Sequence, residues 1–393
     1  MLGDSLRPCG AAVLPPFDRL LSGFLMRYSN VCLESFGYTL PEEIVTTEEI
    51  EHRLAPLYER LRLPEGRLEL MTGIRERRFW APGTLPSQKS AESAEKAIRT
   101  AGIDRSEIGA LVHGSVCRDY LEPATACGVH HHLGLPRTCQ IFDLSNACLG
   151  LLNGIVQVAN MIELGQIRAG VVVGTEGGRE LVENTIHTLN HDTSLSREQM
   201  KLAIASLTIG SGSCAVVLTD RSLSKTGNRL TAAVAHANTE HHDLCHSIGA
   251  DEAVAGGMQP LMTTDSERLM HEGVATGVVT FVDFLGETGW NRGDIDKTFC
   301  HQVGVAHRRL MFESLELDPA IDFPTVQVLG NTGSVALPIA MAMGIEQGHL
   351  DRDDRVAMMG IGSGINCLML AVEWQQAAVE SAAKKTPAEV AAH

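Results

Sequence analysis

The stretch Asp143-Leu-Ser-Asn-Ala-Cys148-Leu-Gly150 separates an apolar, strand-like run from a helix-like run over residues 151–162. Cys148 is thus predicted to lie at a helix N-terminus, where free backbone N–H groups and the helix dipole favour negative charge. We expect this position to lower the thiol pKa from about 8.5 towards neutrality and to populate the nucleophilic thiolate. Cys148 is the first candidate for covalent catalysis. The alternative is a buried, small apolar side chain, the usual role of a free cysteine.

The composition is that of a globular protein with a large core: 393 residues, of which 44% are hydrophobic and 20% charged. Its 32 basic and 48 acidic side chains give a net charge of -16, which argues against nucleic acid or an anionic membrane as partner. No apolar run approaches the roughly 18 residues of a membrane helix. The cysteines are scattered without a Cys-x-x-Cys motif, which predicts reduced thiols in a cytoplasmic enzyme.

A faint internal repeat predicts two related α/β halves. Residues 141–177 show the order strand, turn with Cys148, helix and buried strand. Residues 326–360 repeat this order around Gly330-Asn331-Thr-Gly333, and the same Glu-x-Gly motif ends each helix. Such halves would pack as a pseudo-symmetric pair with mostly parallel sheets. Cys148 and Asn331 would then occupy equivalent turns. The alternative is that the two segments share the Glu-x-Gly motif by chance.

The repeat leads to a predicted division of the chain into four parts. Residues 1–25 form an N-terminal extension, either disordered or a mis-assigned start before Met26. Residues 26–222 form the half with the candidate nucleophile, and residues 223–375 form the second half. Residues 376–393, rich in Ala, Glu and Lys, form a flexible tail.

The second half supplies candidate partners for the thiol. In Cys300-His301-Gln302 the histidine follows a strand-like run, and ligands in α/β sheets gather beyond the carboxyl ends of strands. The alternative for His301 is a structural histidine with satisfied ring nitrogens. Together with Asn331, it could place two donors on one carbonyl oxygen and stabilise an enolate or oxyanion.

These motifs resemble, in order and spacing, the Cys-His-Asn motifs of the thiolase superfamily, specifically its ketoacyl-synthase III branch. The resemblance covers about residues 26–374 and includes Thr72-Gly73-Ile74-Arg75-Glu76-Arg77-Arg78, whose arginines are interpreted as structural. It implies the five-layered αβαβα thiolase fold, an α/β fold with two pseudo-symmetric halves, and a homodimer. It also implies that Cys148 accepts an acyl group and that His301 and Asn331 support carbon–carbon bond formation. The backbone N–H groups of Cys148 and Ser363 would form an oxyanion hole.

The segment Ser115-Val-Cys117-Arg118-Asp119-Tyr120-Leu121-Glu122-Pro123-Ala-Thr125 is similar to that of OleA-type enzymes of olefin biosynthesis, which join two fatty acyl-CoA molecules without decarboxylation. Glu122 stands where ordinary ketoacyl synthases III usually carry an aromatic residue. Coupling two simple acyl groups requires removal of an unactivated α-proton, and a desolvated carboxylate could be the base. By this resemblance Glu122 would reach the partner subunit's active site. The alternative is an exposed loop carboxylate.

The resemblance implies a Claisen condensation of fatty acyl-CoA through an acyl-cysteine, giving a 2-alkyl-3-oxoalkanoate for hydrocarbon biosynthesis. It implies no cofactor beyond the acyl-CoA substrates, and enzymes of the same pathway as further partners. The CoA contacts would differ from those of ordinary ketoacyl synthases III, because Arg67 and Met71 replace the usual tryptophan and arginine. The alternative is a malonyl-dependent 3-oxoacyl-ACP synthase III, or a related acyltransferase or thioesterase.

Two other sites were considered and are not favoured. Gly360-Ile-Gly-Ser-Gly364 resembles a dinucleotide fingerprint, but the apolar run after it reads as a strand rather than the required helix. Two histidine-rich stretches contain zinc-ligand types, but their spacing is not that of a structural zinc site. They comprise His130, His131 and His132, and then His236, His241, His242, Cys245 and His246. No metal is therefore predicted.

Overall fold

A computed structural model of the protein describes residues 26–248 and 261–377. The predictions for residues 1–25, and for the tail from residue 378 onward, lie outside the described residues. Gln376 lies at the start of the predicted tail and is described. Its carbonyl accepts a hydrogen bond from Asn228 Nδ2 at 2.7 Å, which anchors this residue. No helix among the described residues is both long and apolar enough to cross a membrane.

The described strands are short to medium in length and alternate with helices. They are β1 Met26–Arg27, β2 Val31–Thr39, β3 Glu43–Thr46, β4 Glu76–Phe79, β5 Ile108–Gly114, β6 Gln140–Leu144, β7 Ala169–Glu176, β8 Gly212–Asp220, β9 Arg229–Ala237, β10 Cys245–Ile248, β11 Leu261–Thr264, β12 Lys297–Cys300, β13 Arg355–Gly362 and β14 Asn366–Glu373. The helices are α1 Thr47–Arg53, α2 Ala55–Leu61, α3 Arg67–Thr72, α4 Pro86–Ala101, α5 Thr125–Leu133, α6 Gly150–Glu163, α7 Arg179–His191, α8 Arg197–Ala203, α9 Ser266–Thr288, α10 Val305–Leu315, α11 Val326–Leu329 and α12 Ala336–Glu346.

The main sheet has the strand order β12-β13-β14-β9-β2-β8-β7-β5-β6. Its two parts meet at β2 and β9, which share only the pair Cys32↔Arg229. Counted outward from this junction, the first part has the order β2, β8, β7, β5, and the second part has the order β9, β14, β13, β12. Strands at the same place in the two parts also follow one another in the same order along the chain. The strand orders of the two parts are therefore related, as pseudo-symmetric halves require.

The second half departs from the predicted repeat at the position equivalent to β6. Val326, where the second copy was predicted to begin, starts the short helix α11 instead of a strand. Only an isolated parallel bridge between Thr298 and Asp322 extends the sheet beyond β12. The buried Gln302 side chain explains the helix, because its Oε1 accepts the N–H groups of Thr325 and Val326 and so satisfies the first turn.

The prediction of mostly parallel sheets is wrong. The pairs β5–β6, β5–β7 and β12–β13 are parallel, whereas β7–β8, β2–β8, β13–β14 and β14–β9 are antiparallel. The tight turn over residues 363–365 forces β13 and β14 into an antiparallel pair, since a short connection cannot make a parallel crossover. A strand thus follows the glycines that begin at Gly360, as predicted, and not the helix that a dinucleotide fingerprint needs.

Three apolar clusters define the layers around this sheet. Helices α6 and α12 share the central cluster with inward-facing residues of both sheet parts. Helices α4 and α5 cover the outer face of the first part, and α9 and α10 cover that of the second. The alternation helix, sheet, helix, sheet, helix gives the predicted five layers. A fourth cluster joins α1–α3 to α7 and α8 beside the layers.

Candidate active site

Cys148 lies in the turn between strand β6 and helix α6, immediately before the cap residue Leu149. Ala147 has a φ of 45°, in the left-handed region that side chains other than glycine rarely adopt. The Leu149 N–H closes the turn by donating to the Asn146 carbonyl at 2.9 Å. The predicted position of Cys148, in the turn before a helix, is confirmed.

Residues of the second half hold this turn in place. Asn366 Nδ2 lies 3.2 Å from both Asn146 Oδ1 and the Ser363 carbonyl oxygen, to which it donates. Gly362 packs so closely that a β-carbon added to it would lie 3.4 Å from the Cys148 backbone nitrogen. Ser363 follows Gly362 in the chain and is therefore next in sequence to a residue that packs against Cys148. This arrangement suits the oxyanion hole that the family resemblance implies.

His301 directly follows strand β12 and is only 4% exposed. Its backbone N–H donates to the Met359 carbonyl on β13 at 3.0 Å, on the same strand that ends at Gly362. Neither ring nitrogen has a hydrogen-bond partner within residues 26–248 and 261–377. Because buried polar groups are nearly always paired, an imidazole left unpaired in the free protein is well suited to bind a polar group of a substrate.

Gln302 connects the His301 segment to the segment that precedes Asn331. Its Oε1 accepts the Thr325 N–H at 2.7 Å and the Val326 N–H at 2.8 Å, which fixes the start of α11. Helix α11 leads directly into the turn that carries Asn331. One buried amide thus sets the spacing between the two predicted donors.

Asn331 is anchored through its backbone and through one side of its side chain. Its N–H donates to the Thr208 carbonyl, and its carbonyl accepts from the Gly210 N–H, both at 2.9 Å. Its Oδ1 accepts the Gly333 N–H at 2.9 Å. The acceptor side of the amide is therefore engaged, so that the Nδ2 donor is the part suited to a substrate oxygen.

The prediction of an acidic Cys148 is wrong. Burial, and then the negative charge of Glu176 and the nearby Cys245, raise the pKa of the Cys148 thiol to about 12. Loss of hydration therefore outweighs the favourable helix N-terminus. Burial, and secondarily His307, lower the pKa of His301 to about 3. At neutral pH the Cys148 thiol and the His301 imidazole are therefore both neutral, instead of a thiolate and an imidazolium.

This protonation state predicts slow alkylation of Cys148 by iodoacetamide at neutral pH. The rate should rise by roughly tenfold per pH unit up to about pH 10, because only the thiolate reacts. Mass spectrometry of the Cys148 peptide after timed labelling measures this rate. The urea-unfolded protein is the control, since its thiol should react with an ordinary pH midpoint. A labelling rate that levels off below about pH 8 in the folded protein would contradict the high pKa.

Glu122 is exposed and lies in the loop between β5 and α5. Within one chain the structure does not bring it to Cys148. Two apolar neighbours in the loop are also exposed, Tyr120 at 57% and Leu121 at 68%. Exposed apolar side chains grouped in this way are typical of a surface that another protein covers.

The sequence reasoning missed Glu176 as a site residue and gave Arg77 no individual role. Glu176 ends strand β7, is buried, and lies near enough to Cys148 for its charge to act on the thiol. A carboxylate at the carboxyl end of a buried strand was a usable signal, the same one that identified His301. Arg77 is wholly buried, its guanidinium has no hydrogen-bond partner in the described part of the chain, and burial lowers its pKa to about 10.

Two of the candidate metal-ligating histidines pair with carboxylates. His236 Nε2 lies 2.8 Å from Asp283 Oδ2, and His241 Nε2 lies 3.2 Å from Glu272 Oε2. Over residues 26–248 and 261–377, no group of three His, Cys, Asp or Glu side chains is arranged to hold a metal ion.

Two family models match the chain. The model for the thiolase N-terminal domain matches residues 83–243, which include Cys148 and Glu122. The model for the C-terminal part of 3-oxoacyl-[acyl-carrier-protein (ACP)] synthase III matches residues 285–374, which include His301 and Asn331. The first model therefore includes β5–β8 of the first sheet part, and the second includes β12–β14 of the second part.

Similarity to individual proteins extends over most of the chain. An acyl-CoA:acyl-CoA alkyltransferase of Shewanella oneidensis is 44% identical over 352 residues, which are 89% of this chain and 100% of that protein. A crystal structure of OleA from Xanthomonas campestris matches with a TM-score of 0.83 and 33% identity, covering 89% of this chain and 98% of that one. A crystal structure described as 3-oxoacyl-(acyl carrier protein) synthase III, FabH, from Xanthomonas oryzae pv. oryzae also gives 0.83 and 33%, with coverages of 89% and 100%. The chain therefore has the thiolase fold and belongs to the acyl-CoA:acyl-CoA alkyltransferase family of the thiolase superfamily.

Proposed function

We propose that this protein is an acyltransferase that joins two fatty acyl-CoA molecules by a non-decarboxylative Claisen condensation. The product is a 2-alkyl-3-oxoacyl thioester or, after hydrolysis, the 2-alkyl-3-oxoalkanoate, a precursor for olefin or long-chain hydrocarbon biosynthesis. The observation that carries the proposal is the 44% identity to the acyl-CoA:acyl-CoA alkyltransferase of Shewanella oneidensis, which this chain matches over the whole length of that relative. The arrangement of Cys148, His301 and Asn331 supports it.

In the first step the Cys148 sulfur attacks the thioester carbonyl of one acyl-CoA. The C–S bond to CoA breaks, and the thiol proton ends on the CoA sulfur as the acyl group moves to Cys148. The negative oxygen of the tetrahedral intermediate would be bound by the backbone N–H groups of Cys148 and Ser363. Such donors act strongly where water is excluded.

In the second step Glu122 removes the α-proton of one acyl thioester, and the resulting enolate attacks the carbonyl of the other. His301 and Asn331 Nδ2 would donate to the enolate oxygen. The unpaired, neutral imidazole suits this role, since its low pKa keeps it uncharged and able to donate one N–H. This attack forms the new carbon–carbon bond and a second tetrahedral intermediate. When the intermediate collapses, the carbonyl re-forms, the C–S bond to the leaving thiolate breaks, and that thiolate takes up the proton held by Glu122.

The proposal includes a cytoplasmic homodimer in which Glu122 of one subunit serves the site of the other. The exposed Tyr120 and Leu121 beside Glu122 support this arrangement, because a partner surface would cover them. The chemistry requires no cofactor other than the acyl-CoA substrates. Enzymes that act on the β-keto product are the expected further partners.

The deciding experiment supplies the purified protein with a saturated long-chain acyl-CoA and no malonyl donor. We expect CoA release and a branched β-keto acid, or the ketone that forms from it by decarboxylation, detected by mass spectrometry. A parallel reaction contains malonyl-CoA. Product formed only when malonyl-CoA is present would contradict the proposal and support a decarboxylating 3-oxoacyl-ACP synthase III, the function named for the similar Xanthomonas oryzae structure.

A further inference from the structure

Glu176 is a buried carboxylate that receives hydrogen bonds from two separate segments. It is 5% exposed at the end of β7. Its Oε1 accepts from the Val116 N–H at 3.1 Å, the Ser334 N–H at 3.3 Å and the Ser334 hydroxyl at 2.5 Å. Its Oε2 accepts from the Cys117 N–H at 3.3 Å. No ion pair involves Glu176 within the described ranges, so its charge is balanced only by neutral donors.

Both segments carry residues of the proposed reaction. Ser334 belongs to the same turn as Asn331, whose Oδ1 accepts from Gly333 at 2.9 Å. The turn packs tightly on the carboxylate, since a β-carbon added to Gly333 would lie 3.1 Å from Glu176 Cγ. Val116 begins the loop that leads to Glu122. One carboxylate therefore fixes both the turn that carries Asn331, a proposed enolate donor, and the start of the loop that carries Glu122, the proposed general base.

The same carboxylate acts on the nucleophile. Its negative charge contributes, after burial and together with Cys245, to the raised pKa of Cys148. Cys148 itself is held between Gly362 and the start of α6. Glu176 thus lies at a point from which it can influence three of the four proposed reacting groups, namely Cys148, Asn331 and Glu122.

We propose, on the basis of the proposed function, that Glu176 is a positioning residue for the condensation. Its hydrogen bonds hold the Asn331 turn and the start of the Glu122 loop in one fixed relation. Its negative charge, second to burial, disfavours the thiolate form of Cys148. It does not contact the reacting carbon atoms. Its effect should therefore appear in the coupling step and in thiol reactivity, with acyl transfer to Cys148 retained.

Two substitutions separate the charge from the hydrogen bonds. Glu176→Gln removes the charge, and its amide oxygen in place of Oε1 can still accept from Val116 and Ser334, whereas the amide nitrogen in place of Oε2 no longer accepts the Cys117 N–H. Ser334→Ala keeps the charge but removes the hydroxyl that joins the Asn331 turn to Glu176 at 2.5 Å and that also lies 3.0 Å from the Gly114 carbonyl oxygen. The matched control is Glu180→Gln, which removes an exposed carboxylate four residues along the chain. Its charge acts on the Cys117 thiol, but within the described ranges it accepts no hydrogen bond from Val116, Cys117 or Ser334. Thermal unfolding curves confirm that each variant is folded.

The first measurement is iodoacetamide labelling of Cys148 without acyl-CoA, followed by mass spectrometry of its peptide. Glu176→Gln should label about threefold faster at neutral pH, since roughly tenfold more thiolate is partly offset by its lower nucleophilicity. Ser334→Ala and Glu180→Gln should label at the wild-type rate. The second measurement compares acyl-Cys148 with condensed product. Ser334→Ala should form the acyl-enzyme normally but condense about tenfold more slowly, because the donor at Asn331 is misplaced.

Labelling of Glu176→Gln at the wild-type rate, or condensation by Ser334→Ala at the wild-type rate, would overturn the proposal. Should Glu176→Gln fail to fold, Ser334→Ala decides alone, because it deletes one hydroxyl and leaves the carboxylate in place. Labelling requires no substrate, so its result does not depend on the proposed function. A wild-type protein that forms acyl-Cys148 but no branched product would contradict the function while leaving the labelling test of Glu176 valid.

Discussion

Cys148→Ala should lower both acyl transfer and condensation by about 10⁴-fold or more, because removal of a covalent nucleophile leaves only binding and oxyanion stabilisation. Wild-type protein mixed with a long-chain acyl-CoA should gain the mass of one acyl group on the Cys148 peptide. The variant should gain none. Intact-protein mass spectrometry and product analysis by liquid chromatography measure the two steps separately.

Cys139→Ala is a suitable control for this substitution. Cys139 is also a buried cysteine, but it packs in the outer cluster of α4 and α5, away from the Cys148 turn. We expect it to retain activity within a few fold and to keep the acyl modification at Cys148. Condensation by Cys148→Ala at a rate near that of the wild type would contradict the assignment of the nucleophile and point to direct coupling of two bound thioesters.

Local sequence predicted the elements that carry the site. The strand β6, the turn with Cys148 and the helix α6 are neighbours in the chain, and so are β12 and His301. Their hydrophobic patterns depend on short-range geometry, which a single sequence contains. The repeat further predicted that Asn331 lies in a turn before a helix, as it does before α12.

Long-range contacts determined what the sequence could not predict. The protonation of Cys148 depends on burial beneath residues of the second half and on the charge of Glu176, whose main partner Ser334 is 158 residues away. The helix α11 in place of a strand depends on Gln302, which no local pattern connects to Thr325. Propensity is a weak guide where a tertiary hydrogen bond decides the conformation.

Glu122→Gln should abolish carbon–carbon coupling while Cys148 is still acylated. A general base contributes about 10²- to 10⁴-fold, and an amide of the same shape cannot accept the α-proton. We therefore expect acyl-Cys148 to accumulate, with release of one CoA per site and little branched product. Normal condensation by Glu122→Gln would contradict its role as base and favour a decarboxylating mechanism. Glu198→Gln, which neutralises an exposed carboxylate of helix α8, provides a charge-matched control.

A mixture of two inactive variants tests whether Glu122 acts across the subunit interface. Cys148→Ala keeps Glu122 and Glu122→Gln keeps Cys148, so only a mixed dimer can combine both groups in one site. If Glu122 reaches the partner's site, co-refolded or co-expressed equal amounts should recover about a quarter of wild-type activity, since half of the dimers are mixed and each has one complete site. If Glu122 served the site of its own chain, every site would lack one group and the mixture would stay inactive. The exposed loop with Tyr120 and Leu121 leads us to expect recovery.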